Sequence, residues 1–311
     1  MRLVSLPDAG MGLSRAEIAD LFRPFEGRHV ASDDPEWQEE VRRRDGLIWK
    51  RLGQRVFRGL KPRRKRTLGE IKREYAKVWR KDESDGYDMA QPVPKYSPWE
   101  WDGRLFFANK FGGVRVRLLL MMRTIERLRP ARVLEVGYGN GMNLVYLASC
   151  FPQVEFHGIE LTDEGVAAAR AFQARDELPR RMHDFSPLPV RDPTAFKRIR
   201  FLQGNAAALP FEDGSIDLVL TVLALEQMES IRDRALSEIG RVARGHALMI
   251  EPFRDMNPWG RRAWRNVMAR DYFRGHIADL PRYGLDPVWA VGDMPQELFL
   301  RVCAVLAQRR R

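Results

Sequence analysis

Short apolar runs alternate with amphipathic segments along the second half of the chain. Apolar runs bounded by turn residues predict strands, and apolar positions three or four residues apart predict helices. The predicted strands are 132–137, 154–160, 199–203, 216–222 and 246–251, and the predicted helices are 114–128, 141–150, 163–176 and 230–242. Near-continuous apolar runs such as 216–222 are typical of strands covered on both faces, so we expect an α/β fold with a parallel sheet.

Two further apolar runs follow near the C-terminal end, after a helical segment at 258–280. They cover 287–292 and 298–307, and the link between them includes Gly292, Met294 and Pro295. A link this short has no room for a helical crossover, so the last strands are predicted to be antiparallel.

The first 110 residues show helical spacing and no recognisable series of strands. Apolar positions recur at helical intervals after Pro35 and again between Leu68 and Trp79. The stretch 84–113 is rich in Gly, Pro and aromatic residues, which predicts an irregular connector or lid. Two interpretations remain for its aromatic side chains, which either line a pocket or pack the N-terminal residues onto the rest of the chain. These side chains are Tyr96, Trp99, Trp101 and Phe107.

The positive charge of the chain is concentrated in one segment. The 311 residues include 53 Lys or Arg and 42 Asp or Glu, a formal net charge of +11. Residues 50–81 hold 14 of the basic residues and two Glu, so their own balance is 14 − 2 = +12. Three interpretations are open for this segment: a solvated surface, contact with phosphates such as those of RNA, or contact with an anionic membrane surface.

Other features of composition narrow the class of protein. With 44% hydrophobic residues the chain can bury a sizeable core. No apolar run reaches the roughly 18 residues of a transmembrane span, and Pro7 and Asp8 interrupt the N-terminus, so a cytoplasmic protein is expected, peripheral to a membrane if residues 50–81 bind lipid. Cys150 and Cys303 lack metal-binding spacing and are expected to be buried free thiols, and no metal site is predicted.

A glycine-rich turn follows the first strand of the alternating region. Glu135 is followed by glycines at 137, 139 and 141, where the predicted helix begins. Glycine reaches positive φ, and the absence of a β-carbon lets a polar ligand approach the backbone amides. A dinucleotide-binding fingerprint would place its third glycine at 142, which is Met142.

This turn resembles motif I of the class I S-adenosylmethionine (SAM) methyltransferases, and three further motifs follow in the order of that family. Glu160 ends the second strand 19 residues after Gly141, where an acidic side chain can accept hydrogen bonds from both ribose hydroxyls. The segment 204–217 is similar to the family's Gly-Asp-Ala-x-x-Leu-Pro-Phe motif, and 225–227 to its Leu-Glu-His motif.

The resemblance covers roughly 111–311 and is closest to the methyltransferase-11-like group. It implies a Rossmann-like sheet of seven strands with an antiparallel last pair, and cover insertions near 177–198 and 252–283. Residues 1–110 would be a mainly helical, basic N-terminal extension that ends in the aromatic connector.

The resemblance also implies the residues that bind the cofactor, whereas the catalytic candidates follow from their positions along the chain. SAM would be the cofactor, bound by Glu135, Gly137, Tyr138, Gly139, Gly141, Glu160, Leu161, Asn205 and Ala206. Asn205 stands where the family usually has Asp, and its side-chain oxygen still accepts a hydrogen bond from the adenine amino group. The catalytic candidates are Glu226, Gln227 and His276, with His183 as a further histidine that would face the substrate. Gln227 replaces the family's usual His, so it can orient a substrate but cannot act as a general base.

The expected activity is methyl transfer to O, N or C of a small-molecule, lipid-linked or sugar-linked acceptor. No Asp/Asn-Pro-Pro-Tyr/Phe motif follows the fourth strand and no Pro-Cys nucleophile is present, which counts against methylation of nucleobase amino groups or pyrimidine C5. Two alternatives stay open: an RNA-directed methyltransferase anchored by residues 50–81, and a SAM-fold binding protein without turnover.

Overall fold

The structure is a computed structural model that describes residues 10, 12–58, 69–70, 73 and 96–310. In this part of the chain the strands are β1 (Glu26–Val30), β2 (Tyr96–Trp101), β3 (Arg104–Asn109), β4 (Arg132–Val136), β5 (Glu155–Glu160), β6 (Arg200–Gln203), β7 (Ile216–Val222), β8 (Ala243–Glu251), β9 (Leu285–Val291), β10 (Gln296–Glu297) and β11 (Cys303–Arg309). The helices are α1 (Arg15–Phe22), α2 (Pro35–Arg58), α3 (Lys110–Leu128), α4 (Met142–Cys150), α5 (Asp163–Gln173), α6 (Arg180–Phe185), α7 (Arg232–Val242) and α8 (Arg262–Arg270).

The main sheet has seven strands in the order β6-β5-β4-β7-β8-β11-β9. The first five are parallel to their neighbours, whereas β11 is antiparallel to both β8 and β9. The predicted sheet with an antiparallel last pair is therefore confirmed. The last strand begins at Cys303, five residues later than the predicted run 298–307, and it ends at Arg309.

The parallel strands are buried on both faces, as their apolar runs predicted. Leu218 and Leu220 of β7 face one core, which also contains α3 and α4, whereas Val219 faces a second core that contains α7. Because successive side chains of a strand point to opposite faces, a covered sheet requires the apolar run of β7 rather than an alternating pattern. The carboxyl ends of β4, β5, β6 and β7 meet at one edge.

A second, four-stranded antiparallel sheet has the order β1-β3-β2-β10. The prediction of an irregular connector is wrong for residues 96–109, because β2 and β3 form a hairpin there. Its two-residue turn is Asp102-Gly103, with φ of 52° and 72°, which fits the type I′ turn that favours Asp-Gly. The Asp-Gly turn signal was present in the sequence. However, apolar and polar residues do not alternate in the aromatic-rich segments on either side of it as they usually do in strands.

The connector aromatics pack within the protein. Trp99 and Phe106 contact Phe22, with ring centroids 5.2 and 5.9 Å away, and Phe107 contacts Trp37 at 5.6 Å. Of the two interpretations left open, the packing of the N-terminal residues onto the rest of the chain holds for Trp99 and Phe107. None of the four predicted aromatics lines the pocket described below.

The remaining sequence predictions fall partly outside the described residues. Helix α2 continues to Arg58, but of residues 59–81 the structure describes only 69, 70 and 73. The segment 177–198 contains α6, and 252–283 contains α8. The boundary at 110/111 and the cover role of these two segments stay predictions. Among the described residues, no helix is long and apolar enough to span a bilayer.

Candidate cofactor and methyl-transfer site

A pocket of about 360 Å³ opens at the carboxyl edge of the parallel strands. Loops after β4, β5, β6 and β7 form its walls, as expected for an open α/β sheet at the point where the strand order reverses. The sequence-predicted residues that line it are Glu135, Gly137, Tyr138, Gly139, Glu160, Leu161, Asn205, Ala206, Glu226 and Gln227. Residues from four separate stretches of sequence therefore meet in one cavity.

The glycine-rich turn has the expected conformation, partly for a different reason than the sequence suggested. Gly137, Gly139 and Gly141 have φ of 78°, 60° and 80°, a region that favours glycine. A β-carbon on Gly137 would lie 2.6 Å from the Ala224 β-carbon, and one on Gly141 would lie 2.7 Å from the Phe201 ring. At these two positions the protein's own packing excludes a side chain. Gly141 does not line the pocket and is instead the N-cap residue that immediately precedes α4.

Glu160 connects the turn to the next strand. Its Oε2 accepts the Gly139 amide at 3.1 Å, and its Oε1 accepts the backbone amide and the hydroxyl of Thr162 at 2.9 and 2.7 Å. The Thr162 side chain also caps α5 by accepting the Gly165 amide. Glu160 is 7% exposed and lines the pocket. Its carboxylate is thus held in one orientation, and the further lone pairs of its oxygens can accept ligand hydroxyls.

Glu135 lies beneath the turn and is almost completely buried. Its Oε1 accepts the side-chain amide of Asn143 at 2.7 Å, which ties the end of β4 to the first turn of α4. Its Oε2 accepts no hydrogen bond from the described residues. Burial raises the pKa of this carboxyl to about 7, and the Asn143 hydrogen bond partly opposes the shift.

The loop after β6 brings Asn205 and Ala206 to the pocket. The Asn205 side-chain oxygen accepts the Ala207 amide at 2.9 Å, so it holds the loop conformation. This oxygen retains a second lone pair. Ala206 is 6% exposed, and Leu161 faces the same cavity from the β5 loop.

Glu226 and Gln227 occupy a short 3₁₀ helix after β7. Gln227 donates to Glu226 Oε1 at 2.7 Å, whereas Glu226 Oε2 is buried and accepts no hydrogen bond from the described residues. Burial raises the pKa of Glu226 to about 7, and the hydrogen bond from Gln227 partly opposes this. A buried carboxylate oxygen without a donor is costly, which favours a ligand donor at this point.

Glu251 positions this 3₁₀ helix from the end of β8. Its carboxylate accepts the amides of Ala224 and Leu225 at 3.0 and 3.1 Å, and that of Glu226 at 3.3 Å. The Glu251 side chain is fully buried, and burial raises its pKa to about 8. No role for Glu251 was predicted from the sequence, because its bonds to the loop after β7 arise from the pairing of β7 with β8.

Arg117 is a pocket residue that sequence reasoning missed. It lies on α3, one turn after Val114, and both residues line the cavity. Among the described residues it has no carboxylate within ion-pair distance, although Glu297 and Glu226 are its strongest acidic neighbours. Burial lowers the pKa of Arg117. Its position in an amphipathic helix made it resemble an ordinary surface cation.

The two predicted histidines lie elsewhere. His276 is outside the pocket lining, with Nδ1 3.6 Å from Asp255 and a side chain that is 54% exposed. His183 also lies outside, and its Nε2 contacts the Leu178 carbonyl oxygen at 3.2 Å. The geometry therefore leaves Glu226 and Gln227 as the predicted catalytic residues that reach the pocket.

The fold and the pocket define a class of protein. Residues 134–250 match a family model described as a methyltransferase domain. The chain contains a class I SAM-dependent methyltransferase domain, and SAM is the cofactor of this class.

Two methyltransferases of known name are similar in sequence to part of this chain. The fatty-acid O-methyltransferase of Mycolicibacterium smegmatis is 32% identical over 134 residues, which are 42% of this chain and 41% of that protein. The malonyl-[acyl-carrier protein] O-methyltransferase of Geobacter sulfurreducens is 27% identical over 168 residues, 54% of this chain and 52% of that protein. The chain thus spans about half or less of the length of these relatives.

A solved structure also shares the fold. The [4+2]-cyclase SpnF aligns with a TM-score of 0.52 and 16% identity, over 78% of this chain and 96% of that chain. This similarity concerns the fold alone.

The residues around the pocket fit SAM. The carboxyl groups of Glu135, Glu160 and Glu226 suit a cationic sulfonium ligand. Glu135 Oε2, Glu226 Oε2 and the Tyr138 hydroxyl are buried and have no hydrogen-bond partner in the described part of the chain, which favours a ligand that supplies one. The carboxylate of Glu160 would hold the ribose, and the turn at 137–139 would hold the aminoacyl end.

Proposed function

We propose that this protein transfers a methyl group from SAM to an oxygen or nitrogen of a small-molecule, lipid-linked or sugar-linked acceptor. The observation that carries the proposal is the buried Glu226 Oε2, a hydrogen-bond acceptor without a donor among the described residues, in the wall of the SAM pocket. The relatives support acyl-linked acceptors in particular, because two of them are named for a fatty acid and an acyl-carrier protein.

The geometry suggests how the chain's own residues assist. SAM supplies an electrophilic methyl group when it is bound. The amide of Gln227 holds one oxygen of Glu226, which leaves Oε2 to accept a hydrogen bond from the acceptor's O–H or N–H. Glu226 Oε2 would take the proton that the acceptor's O–H or N–H loses when its lone pair bonds to the methyl group, and S-adenosylhomocysteine would leave with the electron pair of the broken carbon–sulfur bond. Glu226 therefore takes the base role that Gln227 cannot fill.

The cofactor half of the proposal is tested by calorimetry with SAM and S-adenosylhomocysteine. Glu160→Ala removes a carboxylate that would accept ribose hydroxyls, and hydrogen bonds to charged groups contribute about 1.5–3 kcal/mol each. We expect the dissociation constant to rise at least about tenfold. The control is Glu212→Ala, at an exposed position outside the pocket. Equal affinities for the Glu160 variant and the wild type would contradict the assignment.

The acceptor half is tested by transfer of labelled methyl groups into a fractionated cell extract. Label in lipid, glycan or a small molecule would support the proposal, and label in RNA would support the alternative of an RNA-directed enzyme. SAM binding without turnover in any fraction would point to a binding protein.

A further inference from the structure

The surface around α8 carries two strongly exposed tryptophans. Trp259 is 79% exposed and Trp49, on α2, is 57% exposed. Both contact neighbouring residues of α8: the Trp259 ring lies 6.1 Å from the Trp264 ring, and the Arg265 guanidinium lies 5.5 Å from the Trp49 ring. We define the α8 surface by the residues Trp49, Arg254, Trp259, Arg261, Arg262, Trp264 and Arg265.

The fold holds Trp259 outward on a structured turn. Gly260, with φ of 90°, follows it, and the Arg261 amide donates to the Pro258 carbonyl oxygen across the turn. The buried side chain of Asn257 anchors the start of the turn, because its amide donates to the Phe253 and Arg301 carbonyl oxygens and its oxygen accepts the Arg301 amide. A large apolar ring thus projects from an anchored base.

The surface is also basic. Residues 254–265 contain four Arg and one Asp, and Lys50 and Arg51 of α2 are exposed near Trp49. Arg254 lies 5.6 Å from the Trp264 ring, so cations and indole rings are interleaved. Tryptophan is enriched at membrane–water interfaces, where its ring lies among the headgroups, and nearby arginines attract anionic lipid.

We infer that the α8 surface docks onto an anionic membrane, with Trp259 and Trp49 entering the headgroup region. The arrangement favours a lipid surface over RNA. Single-stranded RNA is bound along a groove of cations that follows its phosphates. Here the most exposed group is an indole ring on a protruding turn, which a phosphate-following groove would not require. This inference does not depend on methyl transfer.

The test is cosedimentation of the full chain with phosphatidylcholine vesicles, with and without about one third phosphatidylglycerol. We expect binding to the anionic vesicles that weakens with salt, and partition lowered at least about tenfold by Trp259→Ser or Trp49→Ser. Val288→Ala, which changes another exposed apolar side chain, is the matched control and should leave binding unchanged.

Two further measurements keep the result unambiguous. SAM affinity of each variant reports whether the fold is intact, because neither tryptophan lines the pocket. Brominated lipid should quench the wild type more strongly than Trp259→Phe. Vesicle binding unaffected by both tryptophan substitutions, or RNA binding that depends on them without any vesicle binding, would overturn the inference.

Discussion

At the scale of single residues, Glu226 links the electrostatics of the pocket to a pH profile. Its pKa is raised to about 7 by burial, and only the ionised carboxylate can take a proton from the acceptor. We expect kcat/KM, which reports the free enzyme, to rise with pH through about 7 and to level off above it. Glu226→Gln should lower kcat by about 10²-fold or more and remove this rise.

The measurement is the rate of labelled methyl transfer between pH 5.5 and 8.5, with the acceptor fraction that the wild type modifies. His276→Gln, at an exposed histidine outside the pocket, is the control and should keep both the rate and the profile. If Glu226→Gln were as fast as the wild type at every pH, Glu226 would not be the base.

At the scale of elements, strand β5 shapes the pocket through Gly158. A β-carbon there would lie 2.4 Å from the Tyr138 ring, which packs against the strand and lines the cavity. Gly158→Ala should therefore push this ring toward the cofactor and weaken SAM binding at least about tenfold, since crowding a packed site forces side chains to shift.

Calorimetry with SAM measures this effect, and Gly46→Ala provides a matched control. Gly46 lies within α2, where a β-carbon would meet no atom within 4 Å. That change should leave SAM affinity unaltered and stabilise the helix by up to about 1 kcal/mol. Unchanged affinity in Gly158→Ala would show that Tyr138 can relax without disturbing the pocket.

The difference between local sequence patterns and packing between distant segments explains which elements could be predicted from the sequence. The strands of the main sheet were predictable because burial on both faces requires continuous apolar runs, as in β7. Strand β1 contains Gly27, Arg28 and His29, and β10 has two residues, so neither carries such a pattern. The glycine-rich turn and Glu160 could be identified from the local spacing of residues. The position of Arg117 in the pocket and the hydrogen bonds of Glu251 result from the packing of helices and strands, which a local motif does not indicate.

At the scale of the whole molecule, the N-terminal elements and the methyltransferase sheet share one core. Phe22, Trp99 and Phe106 belong to the same buried cluster as Leu118 of α3 and Leu218 of β7. Pairing of β10 with β2 and the ion pair of Arg301 with Glu100, at 2.9 Å, also join the small sheet to the segment that precedes β11. These contacts favour a single cooperative unit in the described part of the protein.

We therefore expect Phe106→Ala, in the small sheet, to destabilise the main sheet as well. Truncating a buried Phe costs about 3–5 kcal/mol, so the urea midpoint should fall markedly. Far-UV circular dichroism and loss of SAM binding should report the same lowered midpoint, because one core supports both sheets. Leu47→Ala, at an exposed position of α2, should change stability by no more than about 0.5 kcal/mol. Two separate transitions, with SAM binding lost at the wild-type midpoint, would instead show that the N-terminal part unfolds on its own.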